Sequence, residues 1–228
     1  KRNIQNTPRI AGKKIIFFGG RLSGAKGVWQ ILKSFSWLIK FFPNKDIVLF
    51  VAGKESSGKN NIKKFIKDIG ISTNMVFSGW LAREEMKTAF FASDVCVTPS
   101  IYFDPFNLFN IEAMAAGKPV VGTCFGGTPE IVIDNETGYI VNPLNDKLMA
   151  DRILNLLEDK TKAETFGVNG RKRVEENFST ESIPTCQCTS ERSRFLSRSL
   201  DDTSSSREHG IAQTIPCQTD GKLLNRSN

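Results

Sequence analysis

Histidine is almost missing from this sequence: His209 alone among 228 residues. Triads built on an imidazole base need one beside the nucleophile, and an HExxH metal helix needs two. A lone histidine in an irregular stretch excludes both classes. Long apolar runs are missing too. None approaches the roughly 20 residues of a bilayer span, and neither a membrane span nor a secretory leader is expected. Of the five cysteines, Cys96, Cys124, Cys186, Cys188 and Cys217, the pair Cys186 and Cys188 stands too close for the usual zinc-site spacing. Cys96 and Cys124 lie in strand-like surroundings and read as buried free thiols. A reducing, cytoplasmic setting fits that usage.

What is present is ordinary globular material, 39% hydrophobic and 24% charged, enough for one domain or at most two. Such a chain buries roughly 70% of its unfolded surface and needs no disulfide or metal for stability. The formal net charge is +7. The whole excess lies within residues 1–178, since basic and acidic residues balance beyond them. An excess of this kind attracts phosphates, nucleic acid or an anionic membrane, and a solvated basic face is its plainest reading.

Residues 1–12, with Lys1, Arg2, Pro8 and Arg9, read as a linker or arm. Residues 13–178 carry a regular alternation. The apolar runs KIIFFGG, DIVLFVAG, MVFSG, SDVCVTPS, PVVGT and GYIVNP predict six strands. Between them, helical spacing such as Val28, Ile31, Leu32, Phe35, Leu38 and Ile39 predicts helices over Gly27–Phe42, around Ile62–Ile69, and over Ala82–Ala92 and Phe106–Ala116. A short helix is expected over Pro129–Ile133, and closing helices over Leu144–Leu157 and Ala163–Asn177. Strands alternating with helices at this interval imply a doubly wound parallel α/β sheet with helices on both faces. From residue 179 to 228 the sequence turns Ser- and Thr-rich with no sustained period, and disorder is the expectation. Acidic residues there match the basic ones, which argues against a nucleic-acid segment.

Four stretches carry chemistry. In GGRLSGAKG, Gly19 to Gly27, glycines permit close backbone approach, and Arg21 and Lys26 precede a helix start. That suits a diphosphate, and equally a solvent-exposed basic loop. Gly53 to Asn60 has the G-x-x-x-x-G-K spacing of a P-loop ending on Lys59. Asn60, however, stands where Ser or Thr should bind magnesium, and Glu55 brings negative charge into the cradle. A polar strand-to-helix turn is the plainer account. In DPFNLFNIEAMAAGKPVVG, Asp104 and Glu112 flank a helix start whose amides, at Asn107, Leu108 and Phe109, would face an anion. Glu112 sits among Ile111, Ala113 and Met114, where a carboxylate is costly unless it meets donors such as ribose hydroxyls. Finally FGGTPEIV, Phe125 to Val132, gives a tight turn into a short helix with Glu130.

Taken in order, GRLSGAKG, VAG, FSGW, ASDVCVTPS, DPFNLFNIEAMAAGKPVV, GGTPEIV and GYIVNP resemble the C-terminal, donor-binding domain of GT-B glycosyltransferases of retaining family four, the group 1 transferases. The resemblance spans about Lys14 to Phe178. It implies a nucleotide-sugar donor such as UDP- or GDP-hexose, transfer of a hexose-like sugar to an acceptor hydroxyl, and no bound metal or other cofactor. It further implies Arg21, Lys26 and the Gly20 backbone at the donor diphosphate, and Glu112 at the ribose. Asn107 to Phe109 would meet phosphate and sugar, Asp104 the transferred sugar, and Phe77 to Leu81 the base. Asp104, Arg21 and Lys26 are then the expected catalytic groups.

Two departures stand out. Asp at 104 replaces the family's Glu and shortens its reach by roughly 1.5 Å. Asn107 replaces the glycine that usually follows Pro-Phe. Family members also carry an N-terminal, acceptor-binding domain, which residues 1–12 cannot supply. Without its positioning, worth roughly 7–11 kcal/mol, the chain alone is expected to be inactive. By the same resemblance, the acceptor is a glycan or lipid-linked molecule held by that domain, the enzyme is cytoplasmic or at the cytoplasmic face of the membrane, and nucleic acid is not a partner. Two rivals remain open: a non-catalytic remnant or partner-binding module, and a P-loop nucleotidase using Lys59.

Overall fold

A computed structural model describes residues 10, 12–42, 46–54 and 59–178. Six strands form one parallel sheet: β1 (Lys14–Gly19), β2 (Ile47–Ala52), β3 (Met75–Gly79), β4 (Val95–Thr98), β5 (Val120–Thr123) and β6 (Gly138–Val141). Their spatial order is β3-β2-β1-β4-β5-β6. The chain works outward from β1 to one edge, then returns to β1 and builds toward the other. That reversal, between β1 and β4, leaves a crevice beyond the strands' carboxyl ends, where open α/β sheets bind ligands. The expected doubly wound sheet is what the structure contains.

Strand residues point alternately to opposite faces, and β1 splits accordingly. Ile16 and Phe18 enter the apolar layer with Leu32 and Phe35, while Ile15 and Phe17 enter the other layer with Phe90 and Met114. All six residues of β2 are buried, as expected of a strand covered on both sides. The helices are α1 (Val28–Phe41), α2 (Lys59–Asp68), α3 (Arg83–Ala92), α4 (Leu108–Ala115), α5 (Thr128–Ile131), α6 (Asp146–Glu158) and α7 (Lys160–Asn177).

Each expected element is found, with boundaries moved where a cap or turn decides. Helix α6 begins at Asp146 because the Asn145 side chain accepts from Leu148 N–H at 3.0 Å, and α7 begins at Lys160 because Asp159 accepts from Lys162 N–H at 2.9 Å. Such caps satisfy first-turn amides that lack helical partners. Helix α4 starts at Leu108 rather than Phe106, with Asn107 still extended at φ −84°, ψ 91°. A 3-10 turn at Ser72–Asn74 precedes β3. Within the expected N-terminal arm, Ile10 is buried in the layer that holds Phe17. The remaining arm, apart from Gly12, lies outside the described residues, as do residues 179–228.

A candidate nucleotide-sugar site at the sheet's switch point

The crevice beyond β1 and β4 is a cleft of about 270 Å³. The end of β1 gives it Gly19 and Gly20, the loop before α1 gives Lys26, and the stretch from Asp104 to Phe109 forms the facing wall. Of the expected site residues it brings together Gly20, Lys26, Asp104, Asn107, Leu108 and Phe109. Arg21 and Glu112 are exposed and do not line this cleft. Of the Gly53–Asn60 motif that ends around Lys59, residues 55–58 lie outside those described.

Both walls are set by backbone packing. Gly27, at φ +75°, ends the Lys26 loop as the N-cap of α1, and any Cβ there would run into the Pro99 carbonyl. Beside it, Ile101 N–H donates to the Ala25 carbonyl at 3.0 Å. The lysine loop is thereby held against the segment that leads to Asp104. From the other side, Gly127 N–H donates to the Asp104 carbonyl at 2.8 Å. A Cβ on Gly126 or Gly127 would collide with the Asp104–Pro105 backbone. The Gly-Gly turn of FGGTPEIV thus works as the seat of Asp104.

Across the cleft, Lys26 Nζ donates to Asp104 Oδ2. The pair is only partly shielded, with side-chain exposures of 35% and 17%. The Leu108 and Phe109 N–H groups at the start of α4, which have no helical acceptors, stand on the Asp104 side of the same space. A cation, helix amides and a carboxylate therefore meet within one small cleft. The first two suit phosphate oxygens, and the third accepts from hydroxyls. Among the described residues no three His, Cys, Asp or Glu side chains gather to hold a metal ion.

Further along the crevice, the ends of β2 and β3 form a shelf. Gly53 N–H donates to the Gly79 carbonyl at 2.8 Å, and Leu22 N–H donates to Lys54 O at 3.0 Å. On this shelf Trp80 is 70% exposed, and Lys54 Nζ lies 5.5 Å from its ring centroid.

Burial around the Glu112 carboxyl raises its pKa above the ordinary 4.5, with the nearby Arg83 charge opposing. The residue as a whole is exposed, so water limits the effect. Burial pushes the Cys96 thiol up to about 12 against a lowering hydrogen bond from Ser93 and the Lys118 charge, which leaves it an inert core residue. Cys124 departs from expectation: it is half-buried and disulfide-bonded rather than a buried free thiol.

Sequence reasoning missed Thr98, Ser100 and Phe106, which also line the cleft. It also missed Asn110, whose only sequence signal is a polar residue inside the apolar run LFNIEAMA. Thr98 and Ser100 carry no signal beyond membership of a strand and its exit.

Comparison with known proteins agrees with this geometry. The profile described as glycosyl transferases group 1 matches residues 1–173. Spore coat protein SA of Bacillus subtilis is 30% identical over 180 residues, covering 76% of this chain and 47% of its own. Sucrose-phosphate synthase from Thermosynechococcus elongatus superposes with a TM-score of 0.68 at 29% identity, over 86% of this chain and 47% of that one. TarM of S. aureus, a structure holding UDP, superposes with a TM-score of 0.68 at 27% identity, over 75% of this chain and 34% of that one. The chain thus spans about half the length of spore coat protein SA, one of the relatives it matches in sequence. With its parallel sheet and switch-point cleft, this chain belongs to the group 1 glycosyl transferases and has the Rossmann-like architecture of a GT-B half.

Proposed function

We propose that this chain is the donor-binding half of a retaining glycosyltransferase that moves a hexose-like sugar from a nucleoside diphosphate to an acceptor hydroxyl. The observation that carries the reading is the convergence of Lys26, Asp104 and the start of α4 on the switch-point cleft. Lys26 and the α4 amides would take the diphosphate, and Asp104 the hydroxyls of the transferred sugar. Arg21, on the exposed lip next to Gly20, would swing in to grip phosphate oxygens. Glu112 would receive the ribose, and the shelf of Trp80 and Lys54 would border the base. At about 270 Å³ the cleft lies just below the roughly 300–1,000 Å³ of sites that enclose a whole ligand. It suits the diphosphate and sugar, with the nucleoside lying along the open shelf. The UDP in TarM supports a nucleoside diphosphate as ligand.

Charge development on the leaving diphosphate would be offset by the side-chain cations and helix amides in place of a metal. Transfer would require an acceptor domain across the cleft, so this chain by itself is predicted to bind and not to turn over. By its family resemblance we place it in the cytoplasm or at the cytoplasmic membrane face. Separately, no helix among the described residues is long and apolar enough to cross a membrane.

Calorimetric titration with UDP, GDP, ADP and their hexose conjugates, without magnesium, tests the reading. Selective binding of one nucleotide, weakened in Arg21→Ala and Lys26→Ala, is expected. A folded chain that binds none of them overturns the donor-site assignment and favours a partner-binding module. Unchanged affinity in both variants would remove the diphosphate role from these two residues.

A further inference from the structure

Behind the Asp104 wall lies a buried polar cluster. Asn110, within the first turn of α4, is 0% exposed. An amide in such a place is costly unless its oxygen and nitrogen find partners. Thr98 Oγ1 donates to Asn110 Oδ1 at 2.7 Å, and Asn110 Nδ2 donates to Thr128 Oγ1 at 3.4 Å. Both threonines are buried as well.

The three residues come from the three segments that frame the cleft. Thr98 ends β4 and lines the cleft itself. Asn110 belongs to the helix whose start forms the wall. Thr128 opens α5 directly after Gly127, whose N–H holds the Asp104 carbonyl at 2.8 Å. The neighbouring strand leaves room for the cluster. A Cβ on Gly122 of β5 would stand 2.6 Å from Thr128 Cγ2, and 3.9 Å from Asn110 Nδ2. An apolar side chain at 110 would fill the same space without directional demands. What the amide adds is a fixed relation between the strand end, the helix start and the seat of Asp104.

We infer that Asn110 is a positioning residue which, through Thr98 and Thr128, sets Asp104 at the height where its carboxylate meets Lys26. Its functional meaning rests on the donor-site reading above, but its geometry does not.

The test follows the Lys26 Nζ and Asp104 carboxyl resonances by NMR in the full chain with no nucleotide added. The outcome therefore stands whether or not the chain binds a donor. Thr128→Val removes the hydroxyl and keeps the shape. Gly122→Ala displaces Thr128 while keeping every polar group. Thr128→Ser is the conservative rescue. The expected result is loss of the paired Lys26 and Asp104 signals in Thr128→Val and Gly122→Ala, with the remaining amide spectrum retained, and their return in Thr128→Ser. Paired signals that persist in both of the first two variants, whatever their melting temperatures, would overturn the inference and leave Asn110 a packing residue. Asn110→Leu gives the same two readings wherever it folds.

Discussion

Lys26 and Asp104, 78 positions apart in sequence, close on each other across the mouth of the switch-point cleft. The cation best placed for a diphosphate therefore already has an anionic partner. A phosphate oxygen that takes the Lys26 proton now directed at Asp104 frees that carboxylate for sugar hydroxyls. An ion pair this accessible to water is worth about 0.2–1 kcal/mol, so exchange is inexpensive.

Asp104→Asn should accordingly raise affinity for the plain nucleoside diphosphate by about 1.5- to 5-fold, the equivalent of that pairing energy. Preference for the hexose conjugate over the plain nucleotide should fall in the same variant. Paired calorimetric titrations at fixed ionic strength check both. Weaker binding of the plain nucleotide would mean that Asp104 supports the diphosphate directly.

Glu112 gives a pH signature. Its carboxyl holds a proton to higher pH in the folded chain than its ordinary 4.5. Between those two values the folded state binds more protons than the unfolded one, so this group's contribution to stability falls as pH rises. Glu112→Gln should match the native chain in stability below pH 4.5 and exceed it near neutrality. Urea denaturation at the two pH values tests the sign.

Gly27→Ala should destabilise the fold. The position combines φ +75° with a Pro99 carbonyl where the methyl would go. Left-handed strain alone costs about 1–3 kcal/mol, and a chain of this size loses about 2–4 °C of melting temperature per kcal/mol. Thermal melting monitored by circular dichroism reads the loss. An unchanged melting temperature would show that the loop relaxes freely, and that Lys26 is not rigidly presented.

Trp80→Ala tests the shelf. Stacking on an exposed ring is worth about 1–3 kcal/mol per base. Nucleoside diphosphate binding should weaken by that amount while inorganic pyrophosphate binding stays unchanged. Equal weakening of both ligands would take the base off this shelf.

Much of the fold was legible because its signals are local. The run Ile15–Phe18 reads as a strand covered on both faces, and those four residues divide between the two apolar layers. The spacing of Val28, Ile31, Leu32, Phe35 and Leu38 reads as one helical face, and all five are buried. Helix starts were less legible, because periodicity marks the face and caps mark the end. Asn145 and Asp159 fix α6 and α7 through hydrogen bonds that apolar spacing does not report. At the site, the sequence pointed to Lys26, Asp104 and Asn107–Phe109 through loop chemistry and resemblance. It could not tell that Arg21 and Glu112 stay outside the cleft lining, since the loop path and helix rotation decide that.

The sequence by itself determined the alternation of strands and helices, and with it a parallel sheet and a crevice at its carboxyl edge. Hydrophobic period and glycine punctuation act over a few residues, so they can be read along the chain. Only the tertiary structure decided that Lys26 meets Asp104, that Gly126 and Gly127 seat the Asp104 backbone, and that Thr98, Asn110 and Thr128 share one buried cluster. Those relations join residues brought together by strand order and backbone approach. The energies that hold them arise only once the sheet has placed the partners within hydrogen-bonding reach.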